Sequence, residues 1–287
     1  MITSLRWKIL AIACVAGFCI HYVKAQSDFV SAREHFERAR SYSSADDPRA
    51  EEEYRQAIAD RAGVYPEAWE WLSRCLAHKL RLPEAVTAWR TYIKQAGRKV
   101  LPTAQAQLHS LERGAELKSR SDSGEFLSAE ESVELVRLVD GFADSRDAVP
   151  YAEKAVKLHP ESAKALLALA NLIKTEQKDR ALELFNRAVV FEPNDPSVYN
   201  ARGGYYFWVR LDPIKAELDY RRAIELSNGL IAAPWAGLGD SLALLGRRDE
   251  ALAAYRKYLS IRPKSAAHYD GEIKKSIEML QSKSPQR

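Results

Sequence analysis

The sequence predicts an all-α solenoid built from stacked helical pairs, and three observations carry that expectation. Only 13 Gly and 12 Pro among 287 residues leave too little turn chemistry for a sandwich or barrel of many short strands. An apolar fraction of 46% beside a charged fraction of 29% marks a chain able to bury a core. Above all, one seam recurs six times: a small residue, a ring or Ala four later, then a small residue or Tyr three after that. Positions four and three apart share one helix face, so each triplet lets a neighbouring helix approach while a ring fills the gap.

In chain order, Arg6 and Lys8 precede an uncharged run from Ile9 to Val23, after which Lys24, Ala25, Gln26 and Ser27 turn polar. This reads as a cleaved signal peptide, with Val23 and Ala25 at a small-residue cleavage site, or as an uncleaved anchor. A lipoprotein signal at Ala11 to Cys14 is a third reading, lacking the usual Leu at its first position. The cations ahead of the run favour a cytoplasmic N-terminus and an exported body. These 25 residues hold three cations and no acid, so the formal charge of +4 shrinks to +1 for the rest. That near-balance argues against a general nucleic-acid binder.

The six seams are Ala50-Tyr54-Ala57, Ala85-Trp89-Tyr92, Ala148-Ala152-Ala155, Ala181-Phe185-Ala188, Ala216-Tyr220-Ala223 and Ala251-Tyr255-Tyr258. Their first members are 35, 63, 33, 35 and 35 residues apart. About sixteen residues upstream lies a partner helix: Trp69, Leu72 and Leu76 before Ala85; Leu135 and Val139 before Ala148; Tyr199, Gly203 and Tyr206 before Ala216; Trp235, Leu238, Gly239 and Leu242 before Ala251. Asp47-Pro48, Asp195-Pro196 and Asp212-Pro213 each place a capping oxygen ahead of Pro at the first helical position. Pro160, Pro193 and Pro263 follow the last seam position by five residues, where a helix must stop.

The 63-residue gap holds no seam. Val100 to Lys118 reads as one helix with Leu108, Leu111, Ala115 and Leu117 apolar, followed by a polar loop from Ser119 to Gly124. Ser128 and Glu131 then form a capping box that restarts the array. Beyond Pro263, Ile273, Ile277 and Leu280 mark a terminal capping helix. The expected organisation is 1–25 address segment, 26–118 two repeats plus a helix, 119–127 polar linker, 128–265 four repeats, and 266–287 cap and tail.

This pattern resembles the tetratricopeptide repeat family. Residues 232–265 are similar to a nearly complete copy, with Trp235, Leu238, Gly239, Gly246, Ala251, Tyr255 and Pro263 in register; residues 29–62 match only in their second helix. The resemblance implies a right-handed superhelix whose first helices line a concave groove for an extended peptide or a helix of another protein. Its stripe takes Glu70, Arg74 and His78; Val133 and Arg137; Leu167, Asn171 and Lys174; Asn200, Gly204, Phe207 and Trp208; Ala236, Asp240 and Ala243. Asn171 and Asn200 each offer a donor and an acceptor to a peptide backbone. Phe207 and Trp208 offer a ring to an apolar side chain, although Trp208 could equally pack between repeats. The dicarboxylate clamp that grips heat-shock chaperones is absent, because Ala233, Ala236, Gly237 and Asp240 stand where it requires cations.

No phosphate loop, H-E-x-x-H helix, C-x-x-C pair or G-x-S-x-G elbow occurs. The glycines of Gly237 to Leu242 read as helix-packing residues rather than a dinucleotide fingerprint, and His35, His78, His109, His159 and His268 have no second ligand at helical spacing. Cys14 and Cys19 lie in the address segment, leaving Cys75 without an internal disulfide partner and best read as a small buried residue. The sequence therefore points to a non-enzymatic exported adaptor or scaffold without cofactor or metal, at the periplasmic side of a bacterial-type inner membrane. Two other classes stay open: a carbohydrate-handling accessory subunit, suggested by 6 Trp and 13 Tyr, and a self-associating scaffold.

Overall fold

The computed structural model describes residues 26–42, 47–97, 102–263 and 270–282. Every regular element among them is a helix. Helix α1 covers 26–41, followed by α2 (Pro48–Asp60), α3 (Pro66–His78), α4 (Leu82–Ala96), α5 (Pro102–Asp122), α6 (Ala129–Phe142) and α7 (Ser145–Leu158). Then come α8 (Ala163–Ile173), α9 (Lys178–Phe191), α10 (Pro196–Trp208), α11 (Pro213–Leu226), α12 (Ala233–Leu244), α13 (Arg248–Ile261) and α14 (Asp270–Ser282). The expected run 1–25 lies outside the described residues, among which no helix is long and apolar enough to cross a membrane.

Among the described residues, six helical pairs, the long α5 and the terminal α14 follow the order that the seams predict. The first residue of every triplet is buried, and so is the central ring of each triplet that has one. All three expected Asp caps form: Asp47 accepts from the Arg49 amide, Asp195 from Ser197 at 2.8 Å and Asp212 from Lys215 at 3.0 Å. The capping box closes reciprocally, with the Glu131 amide donating to Ser128 Oγ at 3.2 Å and the Ser128 amide to Glu131 Oε2 at 3.0 Å. The pairing aromatic of the first helix is tied down in the same way three times. Trp69 donates to the Gly63 carbonyl, Tyr199 to Pro193 and Trp235 to Gly229, each six residues upstream. This bond sets the entry angle of the first helix and satisfies a polar ring atom that burial would otherwise strand.

The chain forms two compact units. The first comprises the described residues up to Leu127 with Leu138–Asp144, the second Ser128–Arg137 with the described residues from Ser145 onward. In the first, α3 packs on α4 and α4 on α5. Helix α5 fills the place of a third pair: Leu111 and Leu117 are buried, and Trp89 Nε1 donates to the Ala104 carbonyl at 2.9 Å. Gly114 on α5 is required by close approach, since a Cβ there would lie 2.9 Å from the Phe142 ring. Helix α5 also continues to Asp122 rather than ending at Lys118. Ser121 is buried, and Lys118 pairs with Asp122 at 2.5 Å, so four residues that look like loop are held as a further polar turn. Gly124, at φ 81°, ends it. Cys75 is buried in the same core.

In the second unit α8, α10 and α12 are neighbours, each paired with its own second helix. The glycines of α10 and α12 serve packing. A Cβ on Gly237 would fall 2.3 Å from Tyr220 Cζ, and one on Gly239 2.5 Å from Tyr255 Cε1. Helix α10 also carries Arg202, whose guanidinium makes two 2.8 Å bonds to the Asp219 carboxylate and a 2.9 Å bond to Asn186 Oδ1. These bonds, the first two a bidentate pair, fasten α10 to α11 and α9.

Candidate functional site

Helices α8, α10 and α12 are the first helices of three consecutive repeats, and their contacts make one surface within the second unit. Asn171 is exposed on α8 and Lys174 half-buried at its C-cap. Asn200 is half-buried on α10, as is Gly204 one turn on, where the Tyr220 hydroxyl would lie 3.7 Å from an added Cβ. Trp208 ends α10 with 71% of its surface exposed, edge-on to Phe207 at a ring separation of 4.8 Å.

Two sequence expectations change here. Phe207 is only 8% exposed and belongs to the core that contains Tyr220 and Tyr255, so it cannot meet a ligand. Trp208, which could have packed between repeats, instead stands in solvent. A helix rotates about 100° per residue, so of two consecutive rings only one can face the core. Asp240 is half-buried, and its Oδ1 accepts a 2.7 Å bond from the Tyr255 hydroxyl. Burial pushes the Asp240 carboxyl above the ordinary range, with the Tyr255 bond opposing and Glu272 adding to the rise. Asp240 therefore orders the seam rather than presenting a free charge.

The remaining residues of the expected stripe are placed differently. Arg137 is exposed on α6. Glu70, Arg74 and His78 belong to the first unit, where Arg74 pairs with Glu70 at 2.9 Å and lies over the Trp71 and Trp89 rings. Trp71 escaped the sequence reading. It stacks on Tyr54 and carries Arg40 and Arg74 over its ring, which absorbs two cations in local packing.

Leu244 also escaped it. It ends α12 at 69% exposure, and it stands as far from Trp208 as Trp235 does from Tyr199, so repeat register alone could have found it. Trp208 and Leu244 thus project from equivalent positions of neighbouring helices, on the surface that carries the amides of Asn171 and Asn200. Such a surface can hold a peptide backbone through amides and an apolar side chain through a ring. Among the described residues, no three or more His, Cys, Asp or Glu side chains gather as a metal site.

Family models identify the repeat independently. A tetratricopeptide repeat model matches residues 48–98 and 134–197, and a second matches 232–265, together just over half of the chain.

The chain belongs to the tetratricopeptide repeat family.

Solved structures of similar architecture include a tetratricopeptide repeat protein from Parabacteroides merdae, at 18% identity and TM-score 0.47, covering 88% of this chain and 99% of that one. A thermophilic member from Thermus thermophilus is 18% identical at TM-score 0.45, covering 76% and 99%. The MamA protein is 17% identical at TM-score 0.42, covering 72% and 94%. No curated protein matches the sequence. As a tetratricopeptide repeat protein, the chain is a protein-protein interaction scaffold.

Proposed function

We propose that this protein is an exported, non-enzymatic adaptor that holds a peptide tail or helix of another envelope protein on the surface of α8, α10 and α12. The observation that carries the reading is the exposure of Trp208 at 71% beside Leu244 at 69%, on adjacent first helices flanked by Asn171 and Asn200. Leaving two large apolar side chains in water has a cost that burial against a partner recovers, at about 25 cal/mol per Å². Asn amides add backbone recognition that does not read sequence. Export rests on the Arg6, Lys8 and Ile9-to-Val23 pattern, with residues 1–25 as cleaved signal or anchor.

The test is capture of crosslinked partners from envelope fractions by the tagged protein and by an Asn171→Ala/Asn200→Ala/Trp208→Ala variant. A partner held only by the unsubstituted protein supports the reading. Equal capture by both moves the binding surface elsewhere on the chain. A phosphatase fused after residue 30 tests export separately; an inactive fusion removes the envelope from the assignment.

A further inference from the structure

The fifth repeat carries an apolar stripe of which the groove uses only Trp208. Leu211 in the turn between α10 and α11 is 78% exposed, and Ile214 and Leu218, four apart on α11, are 61% and 64% exposed. Trp208 stands just before the turn. At the place of Ile214 the other five seams carry Pro48, Pro83, Arg146, Asp179 and Asp249; at that of Leu218 they carry Glu52, Thr87, Pro150, Glu183 and Ala253. A large apolar pair on this outer position is peculiar to α11.

Leu211 sharpens the point. It adopts φ 54°, the left-handed conformation that Leu80 takes at φ 54° and Gly246 at φ 74° in the equivalent turns of two other repeats. A leucine there works against its own Cβ, and at 78% exposure Leu211 recovers little by burial within its chain. Leu80 bears the same strain half-buried, so what sets Leu211 apart is its exposure.

We infer that the stripe of Leu211, Ile214 and Leu218, ended by Trp208, is a docking surface for a second copy of this chain. Its exposed apolar side chains amount to about 500 Å² per copy, or about 1,000 Å² across a self-complementary pair, the threshold for a specific interface. The rim suits a like partner as well. Lys215 is paired with Asp212 at 3.2 Å, Arg221 with Glu217 at 2.9 Å and Arg222 with Glu225 at 2.8 Å, so two identical surfaces meet without opposing unpaired like charges.

Sedimentation of the full chain tests this across a roughly hundredfold concentration range. The unsubstituted protein shows reversible association, and Ile214→Glu/Leu218→Glu weakens it at least about tenfold with helicity and melting temperature retained. Leu211→Gly separates an interface from a structural role: it leaves melting temperature equal or higher while weakening association. A chain monomeric at all concentrations overturns the inference, as does association that both variants leave intact, which would place the contact elsewhere. Monomers that bind a different protein through the stripe also overturn it. Asn171→Ala/Asn200→Ala leaves association unchanged, so failure of the stripe and failure of the groove are distinguishable.

Discussion

Gly239→Ala adds one methyl group to α12 at its closest approach to α13. Its carbon would sit 2.5 Å from Tyr255 Cε1 and 2.6 Å from Cδ1, about 1 Å inside an ordinary carbon contact. The ring cannot simply step aside, because Tyr255 is buried and its hydroxyl is bonded to Asp240 at 2.7 Å. Overpacking of this kind costs about 1–3 kcal/mol, and stretching a bond to a carboxylate adds to it. Replacing Gly by Ala in a helix returns about 1 kcal/mol. The net expectation is a loss of about 2 kcal/mol, or about 4–8 °C in melting temperature for a unit of this size. Gly141→Ala on α6 is the control, since no atom lies within 4 Å of its added Cβ and only the helix term remains. Thermal unfolding followed by circular dichroism measures both variants. A Gly239→Ala protein as stable as the parent would refute the tight seam between α12 and α13, and with it the packing role assigned to these glycines.

Other expectations follow from the same geometry. Burial alone would raise the Glu51 pKa, but hydrogen bonds from Lys79, Arg55 and Arg81 hold it at about 2 against an ordinary 4.5. Its stabilising contribution is therefore full above pH 4.5 and lost as pH falls toward 2. With the cations partly in solvent this is worth about 1–2 kcal/mol, and Glu51→Gln should flatten the acid limb of a melting-temperature profile between those limits; an unchanged limb would remove the network from acid stability. Asp240 has the opposite sign. A carboxyl whose folded pKa lies above its unfolded value stabilises fully below the unfolded value and ceases to as pH rises through the folded one. Asp240→Asn should accordingly raise the melting temperature by a few degrees at pH 7 and leave it unchanged at pH 3. Trp208→Ala should shift stability by no more than about 0.5 kcal/mol in urea unfolding while weakening partner capture, and a larger destabilisation would return the ring to the core.

Much of the fold was legible because its signals are local and periodic. The Ala-ring-Ala seams recur at nearly fixed spacing, and the Asp-Pro steps cap and start helices by chemistry confined to a few residues. The end of α5 was not legible, because Ser119 to Asp122 look polar and turn-like until tertiary packing buries Ser121. The binding face was read in part. Four consecutive rings from Tyr205 to Trp208 erase the hydrophobic period, so the sequence has no phase from which to tell the buried Phe207 from the exposed Trp208. Asp240 misled for another reason: its partner Tyr255 lies in the next helix, and only packing brings a carboxylate and a hydroxyl from two elements together.

The proposed groove requires Trp208, Asn171 and Asn200 to act together in holding a partner. The most direct measurement is the calorimetric affinity of a partner peptide selected from a peptide library by the purified protein, compared with that for the Asn171→Ala/Asn200→Ala/Trp208→Ala variant. The expected result is a loss of at least about tenfold with folding intact, since a desolvated ring anchor alone is commonly worth more than about 1 kcal/mol. Equal affinity for both proteins would contradict it.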